Sequence, residues 1–243
     1  MLLTNLADVA RKAGLKVVEV DGWRSRGHGQ LVAVKTVVCH HTAGRSAAAD
    51  PSDFPSLRIV RDGRPGLSGP LSNLGLGRSG TVYVVAAGYA YHAGAVLDES
   101  MDNEHSIGIE AENDGVGEPW PTAQRTAYVL LCAALVRAYG LTPARVLAHR
   151  EVCRPKGRKI DPEGIEMDGF RQAVARSVDD LERASRDLPR QPPPKPKVTL
   201  SRYLKRGNHG EDVKAVQRVV GARVDGDFGP KTEGAVKTWQ SKR

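Results

Sequence analysis

A chain of 243 residues is long enough for one full-sized domain and a small one, and 40% hydrophobic residues argue against global disorder. The formal net charge of +8 suits polyanionic partners: nucleic acid, anionic membrane surfaces or anionic cell-wall polymers. Nowhere do 18 apolar residues run together, so membrane insertion is not expected.

Three cysteines (Cys39, Cys132 and Cys153) are too few and too odd in number for a disulfide framework. A reducing compartment at the time of folding is the simplest reading. The opening MLLTNLADVARKAGLK has no basic segment leading into a long apolar run, so no secretory signal is expected.

In chain order, Leu3 to Ala13 reads as a short amphipathic helix stopped by Gly14. Lys16–Val20 and Ala33–Cys39 are rich in β-branched residues and read as strands. Residues 44–80, rich in Gly, Ser and Pro, read mostly as loop, longer than a domain keeps without a use for it. Thr81–Ala86 and Ser106–Ala111 are strand-like again. A helix is expected from Pro121 to about Tyr139, with Tyr128, Leu131, Leu135 and Ala138 on one face and Gly140 at its stop. Val146–His149 is a short apolar run ending in histidine, and a second long helix is expected over about 167–188. Strands interleaved with helices predict an α/β domain: a mixed central sheet flanked by helices. Five prolines in the eleven residues 188–198 predict an extended spacer between a domain at 1–187 and a small module at 199–243.

Two segments carry histidines where strands end: Val37-Val38-Cys39-His40-His41-Thr42, and Ala148-His149-Arg150-Glu151 followed by Gly157-Arg158-Lys159-Ile160-Asp161-Pro162. A third, Ser106-Ile107-Gly108-Ile109-Glu110, ends an apolar strand in a carboxylate. Catalytic zinc takes three His, Cys, Asp or Glu ligands and keeps one open position. His40, His149 and Asp161 could supply them if the strand ends converge. Adjacent strand side chains point to opposite faces, so His40 and His41 cannot both face one ion without a bulge. Spacing alone supports no more than a metal hydrolase.

Taken together, VVCHHTAG, YAYHAGA, SIGIEAEN and AHRE…GRKIDP occur in an order that resembles the N-acetylmuramoyl-L-alanine amidases related to peptidoglycan recognition proteins, over roughly residues 22 to 165. The opening DGWRSRGHG is similar to that of phage endolysins attacking actinobacterial walls. The resemblance implies Zn²⁺ held by His40, His149 and Asp161, with Cys153 as the alternative third ligand. It implies Glu110 as general base, Lys159 as electrostatic stabiliser of the oxyanion, and His92 lining the substrate cleft. Tyr89, Tyr91 and Trp120 are further candidates for cleft walls. The implied substrate is bacterial peptidoglycan. The implied location is the host cytoplasm until release to the wall. A peptidoglycan-binding protein without catalysis and a zinc endopeptidase of the stem peptide remain alternatives. No nucleic-acid motif accompanies the positive charge.

Residues 201–243 predict short helices over Asp212–Val220 and from Pro230 onward, around the turn Gly226-Asp227-Phe228-Gly229-Pro230. The segment resembles a small all-α, three-helix peptidoglycan-binding domain. Its ten basic residues oppose five acidic ones, which suits an anionic wall.

Overall fold

Six strands form the central sheet, in the order β1 (Val17–Glu19), β6 (Val82–Val84), β5 (Leu74–Leu76), β7 (Ser106–Ala111), β2 (Thr36–His41), β8 (Val146–Ala148). In this computed structural model residues 1–187 and 202–242 are described, residues 185–187 by their backbone alone. Strands β5, β7, β2 and β8 run parallel to one another, as do β1 and β6, whereas β5 and β6 pair antiparallel, so the sheet is mixed as expected. A two-stranded hairpin, β3 (Gly63–Arg64) and β4 (Leu67–Ser68), stands apart from it.

Strand alternation sorts the side chains of β2 and β7 between two layers. Val37, Cys39, Ile107, Ile109 and Ala111 enter the main core, which also contains residues of α1 (Leu6–Lys12), α3 (Thr122–Ala138) and α5 (Met167–Asp187). Cys39 Sγ lies 3.8 Å from Cys132 Sγ of α3, which places odd-numbered β2 residues on the helix side. His40 therefore points away from that core, and Glu110 is its register partner on β7. Val20, Phe54, Val60 and Val85 form a second, smaller cluster, which takes in Val60 of α2 (Leu57–Asp62). Tyr128, fully buried on α3, donates its hydroxyl proton to the carbonyls of His40 (3.0 Å) and Ile109 (3.3 Å), tying the ends of β2 and β7 together.

Several expectations shift. The β2 strand begins at Thr36, not Ala33, and runs through both histidines. The stretch 44–80 is mostly loop, as expected, but it also contains α2, the hairpin and the fully buried β5, which were not expected. With the sequence Leu74-Gly75-Leu76, β5 is short and has a glycine at its centre, so it lacks the β-branched signature. Gly75 is there because Phe54 lies against it; a Cβ would come within 2.2 Å of the ring.

The chain divides into two units, Met1–Asp187 and Leu188–Arg243. The expected spacer at 188–198 lies outside the described residues. Two helices, α6 (Glu211–Val220) and α7 (Pro230–Gln240), are found among the described residues of the second unit, where three were expected. Val213 and Phe228 are buried between them. Gln217, also buried, donates to Asp225, to the Asp227 carbonyl and to Thr232, and accepts from the backbone N–H groups of Asp225 and Gly226. One side chain thus pins the whole turn between the helices. Among the described residues no helix is long and apolar enough to cross a membrane.

Candidate active site

Three adjacent parallel strands bring the candidate residues to one edge. His40 pairs in register with Glu110, and Cys39 pairs with Ala148, so His149, the first residue of α4 (His149–Val152), emerges beside His40. Carboxyl ends of strands in an open α/β sheet are where such sheets place their ligand crevices. Asp161 arrives from the loop after α4. Arg150 holds that loop: its backbone N–H donates to the Asp161 carbonyl (3.0 Å), and its guanidinium donates to the carbonyls of Ile160, Pro162 and Ile165.

The result is a tight triangle. His40 Nδ1, His149 Nδ1 and Asp161 Oδ2 are each 3.0 Å from the other two. All three residues are buried, and no other group of three or more described His, Cys, Asp or Glu residues is placed to hold a metal ion. Cys153 is buried, with its sulfur 3.7 Å from the Arg150 carbonyl and 3.6 Å from that of Pro155.

Burial drives the electrostatics. It pulls the His40 pKa down to about 4, against the opposing hydrogen bond to Asp161. Burial likewise holds His92 well below the usual imidazole range. Asp161 is also desolvated, but its hydrogen bonds with His149 and His40 outweigh that and keep it ionised. Glu110 goes the other way: burial, then the Asp161 charge, push it well above the usual carboxyl range, with Lys159 opposing. Its Oε1 lies 4.0 Å from His40 Nδ1, and its buried Oε2 has no hydrogen-bond partner among the described residues.

These groups open onto a cleft of about 710 Å³, which Lys159, Arg158, Tyr91, Ile59 and Arg64 also line. His92 lines it too, yet its Nδ1 is 3.2 Å from His40 Nε2, so it touches the candidate ligand directly. Tyr91 is stacked on His28 with ring centroids 3.5 Å apart. Tyr89 and Trp120 do not line the cleft but pack on the main core, and Trp120 donates to the Glu163 carbonyl. His41 accepts from the Glu163 backbone N–H (3.0 Å). Glu151 does not face the site; it caps α4 through the Ala148 N–H and pairs with Arg171 of α5.

Sequence reasoning missed Arg150 and Asn103. Arg150 was visible only as the neighbour of His149. Asn103 sits in a turn, and its Oδ1 accepts from the backbone N–H groups of both His92 (3.0 Å) and Ala93 (2.9 Å).

A model of the N-acetylmuramoyl-L-alanine amidase family matches residues 30–164. No curated protein sequence matches the chain. Among solved structures, the chain is similar to the N-acetylmuramoyl-L-alanine amidase LysC from Clostridium intestinale, at 18% identity and TM-score 0.49, over 65% of this chain and 97% of that one. The catalytic domain of XlyA matches at 18% identity and TM-score 0.49, over 66% and 99%. The E. coli amidase AmiD, in complex with an anhydro-muropeptide substrate, matches at 21% identity and TM-score 0.46, over 93% and 97%.

Proposed function

The chain belongs to the N-acetylmuramoyl-L-alanine amidase family, and on that premise we propose that it hydrolyses the bond between N-acetylmuramic acid and L-alanine in bacterial peptidoglycan, with Zn²⁺ as cofactor. The observation that carries this reading is the buried triangle of His40, His149 and Asp161 beside Glu110. The donor set fits the ion: two imidazoles and a carboxylate are three protein ligands that leave a fourth position open. Ligands about 2.0–2.1 Å from a tetrahedral ion stand about 3.3 Å apart, close to the 3.0 Å separations of the triangle. In this reading Cys153 is a small buried hydrophobe and not the third ligand.

Bound there, Zn²⁺ would polarise the scissile carbonyl and make a water proton easier to remove. Glu110 takes that proton as the water oxygen adds to the carbonyl carbon. It then delivers the proton to nitrogen as the C–N bond breaks, and the second water proton passes from the new carboxyl group to the amine, giving a muramoyl carboxylate and an L-alanine ammonium group. A carboxyl with a raised pKa suits the second half of that task, when it must hold a proton. Lys159, on the cleft wall, stabilises the negative charge that develops on the carbonyl oxygen.

The biological role we infer is that of an endolysin. It is held in the host cytoplasm until release to the wall, with the C-terminal unit and its basic excess serving as a wall anchor. Digestion of purified peptidoglycan followed by mass spectrometry tests the chemistry. Fragments should carry free L-alanine amino termini, and a chelator should abolish their release until Zn²⁺ is restored. Cleavage within the stem peptide would make the protein an endopeptidase, and co-sedimentation without cleavage would make it a binding protein.

A further inference from the structure

The two candidate ligand histidines are held from behind by two adjacent residues, His40 by His92 and His149 by Ala93. His149 Nε2 lies 3.1 Å from the Ala93 carbonyl oxygen. A carbonyl can only accept, so His149 donates its Nε2–H there, which leaves Nδ1 as the nitrogen turned toward the triangle and toward any cation in it. His40 is reached through a longer chain, and its direction is also set at the far end. The Ser106 hydroxyl donates to the Asp102 carbonyl. With its one proton committed there, Ser106 Oγ can only accept from His92 Nε2, 3.4 Å away. His92 then has a bare Nδ1, so His40 Nε2–H donates to it across 3.2 Å. The His40 nitrogen that remains, Nδ1, faces His149 and Asp161 and is the atom a cation there would take.

The two residues are themselves fixed. Asn103 Oδ1 accepts from both their backbone N–H groups. Gly108 of β7 lets the His92 ring lie flush on the strand; a Cβ there would come within 2.6 Å of the ring. We propose that the segment His92–Ala93, clamped by Asn103, is a template that orients His40 and His149 so that both Nδ1 atoms point into the triangle. His92, Ser106 and Asn103 are then positioning residues rather than substrate contacts. The proposal rests on the metal-site reading above, because a bare Nδ1 on both rings is what a cation needs.

The test is the Zn²⁺ affinity of the full chain, measured by chelator competition. It should fall by about 10- to 100-fold in His92→Leu. Asn103→Leu should weaken Zn²⁺ binding similarly, whereas Asn103→Asp, which keeps an acceptor oxygen, should stay near wild type. Unchanged affinity in His92→Leu would overturn the template. Should the leucine variant at 92 not fold, the Asn103 pair decides, and equal affinities for Leu and Asp would refute the clamp. A wild type that binds no Zn²⁺ at all sinks the metal reading and the template with it, whereas a wild type and variants that bind equally well sink the template alone.

Discussion

At the scale of single residues, Glu110 carries two opposed consequences of burial. As the base it should be replaceable by glutamine with Zn²⁺ content retained and turnover lowered by roughly 10²- to 10⁴-fold. Stability should move the other way. Glu110 keeps its proton when folded at pH values where the unfolded carboxyl, with its ordinary value of 4.5, has lost it. The metal-free fold therefore loses stability as pH rises above that value, until the raised folded pKa is passed. Metal-free Glu110→Gln should consequently withstand urea better than metal-free wild type near neutrality, with the gap closing near pH 4; no gap at neutrality would refute the burial penalty. His40 acts in the same range with opposite slope. The unfolded imidazole takes a proton below its ordinary value of 6.5, whereas the folded one waits until about 4. Its contribution therefore falls as pH drops through that window, by up to about 1.4 kcal/mol per pH unit. The third ligand is decided by a pair of substitutions measured for Zn²⁺ stoichiometry. Asp161→Ala should lose the metal and Cys153→Ser should keep it; the reverse pattern would transfer the role to Cys153.

At the scale of elements, two attachments place the site. The loop carrying Asp161 has no regular structure to hold it, and Arg150 supplies the hold by donating to three of its carbonyls. A lysine has no planar fork and cannot reach all three. Arg150→Lys should therefore weaken Zn²⁺ binding while the circular dichroism of the sheet and helices stays unchanged; full Zn²⁺ affinity would show that Asp161 is held by something else. Strand β5 depends on the contact between Gly75 and Phe54. Gly75→Ala should lower stability by roughly 1–3 kcal/mol through overpacking, read from the denaturation midpoint. A silent substitution would mean that Phe54 has room to swing aside.

At the scale of the whole molecule, the first unit contains the sheet, the main core and every residue of the candidate site. A protein ending at Asp187 should fold, bind Zn²⁺ and cleave soluble muropeptides at near wild-type rates. It should act more slowly on intact wall, because tethering raises effective concentration only where the substrate is a surface bearing both targets. Added salt should release part of the full chain from sacculi if the ten basic residues of 201–243 contribute. Insolubility of the shortened protein, or undiminished wall lysis by it, would count against the division of labour.

What the sequence determined by itself was whatever has a local cause. Helix α3 follows from apolar spacing and a glycine stop, β7 from alternating apolar residues, and α7 from a proline at its start. The opposite facing of His40 and His41 follows from the two-residue period of a strand. The ordered motifs also pointed to His40, His149, Asp161 and Glu110 as a group, through their resemblance to the amidase family; spacing alone offered only candidate ligands at strand ends. Tertiary structure alone decided the rest. Strand β5 exists because β6 and β7 flank it on both sides, a hydrogen-bonding environment that no three-residue stretch announces. The choice of Asp161 over Cys153 at the triangle depended on how Arg150 folds the loop back, a contact between a side chain and carbonyls 10 to 15 residues further on. The alignment of both histidine rings depended on His92 and Ala93, which lie 52 and 56 positions from the rings they touch, and on Asn103, which holds them. Hydrogen bonds of that reach are directional and need sub-ångström placement, and only the packed sheet supplies it.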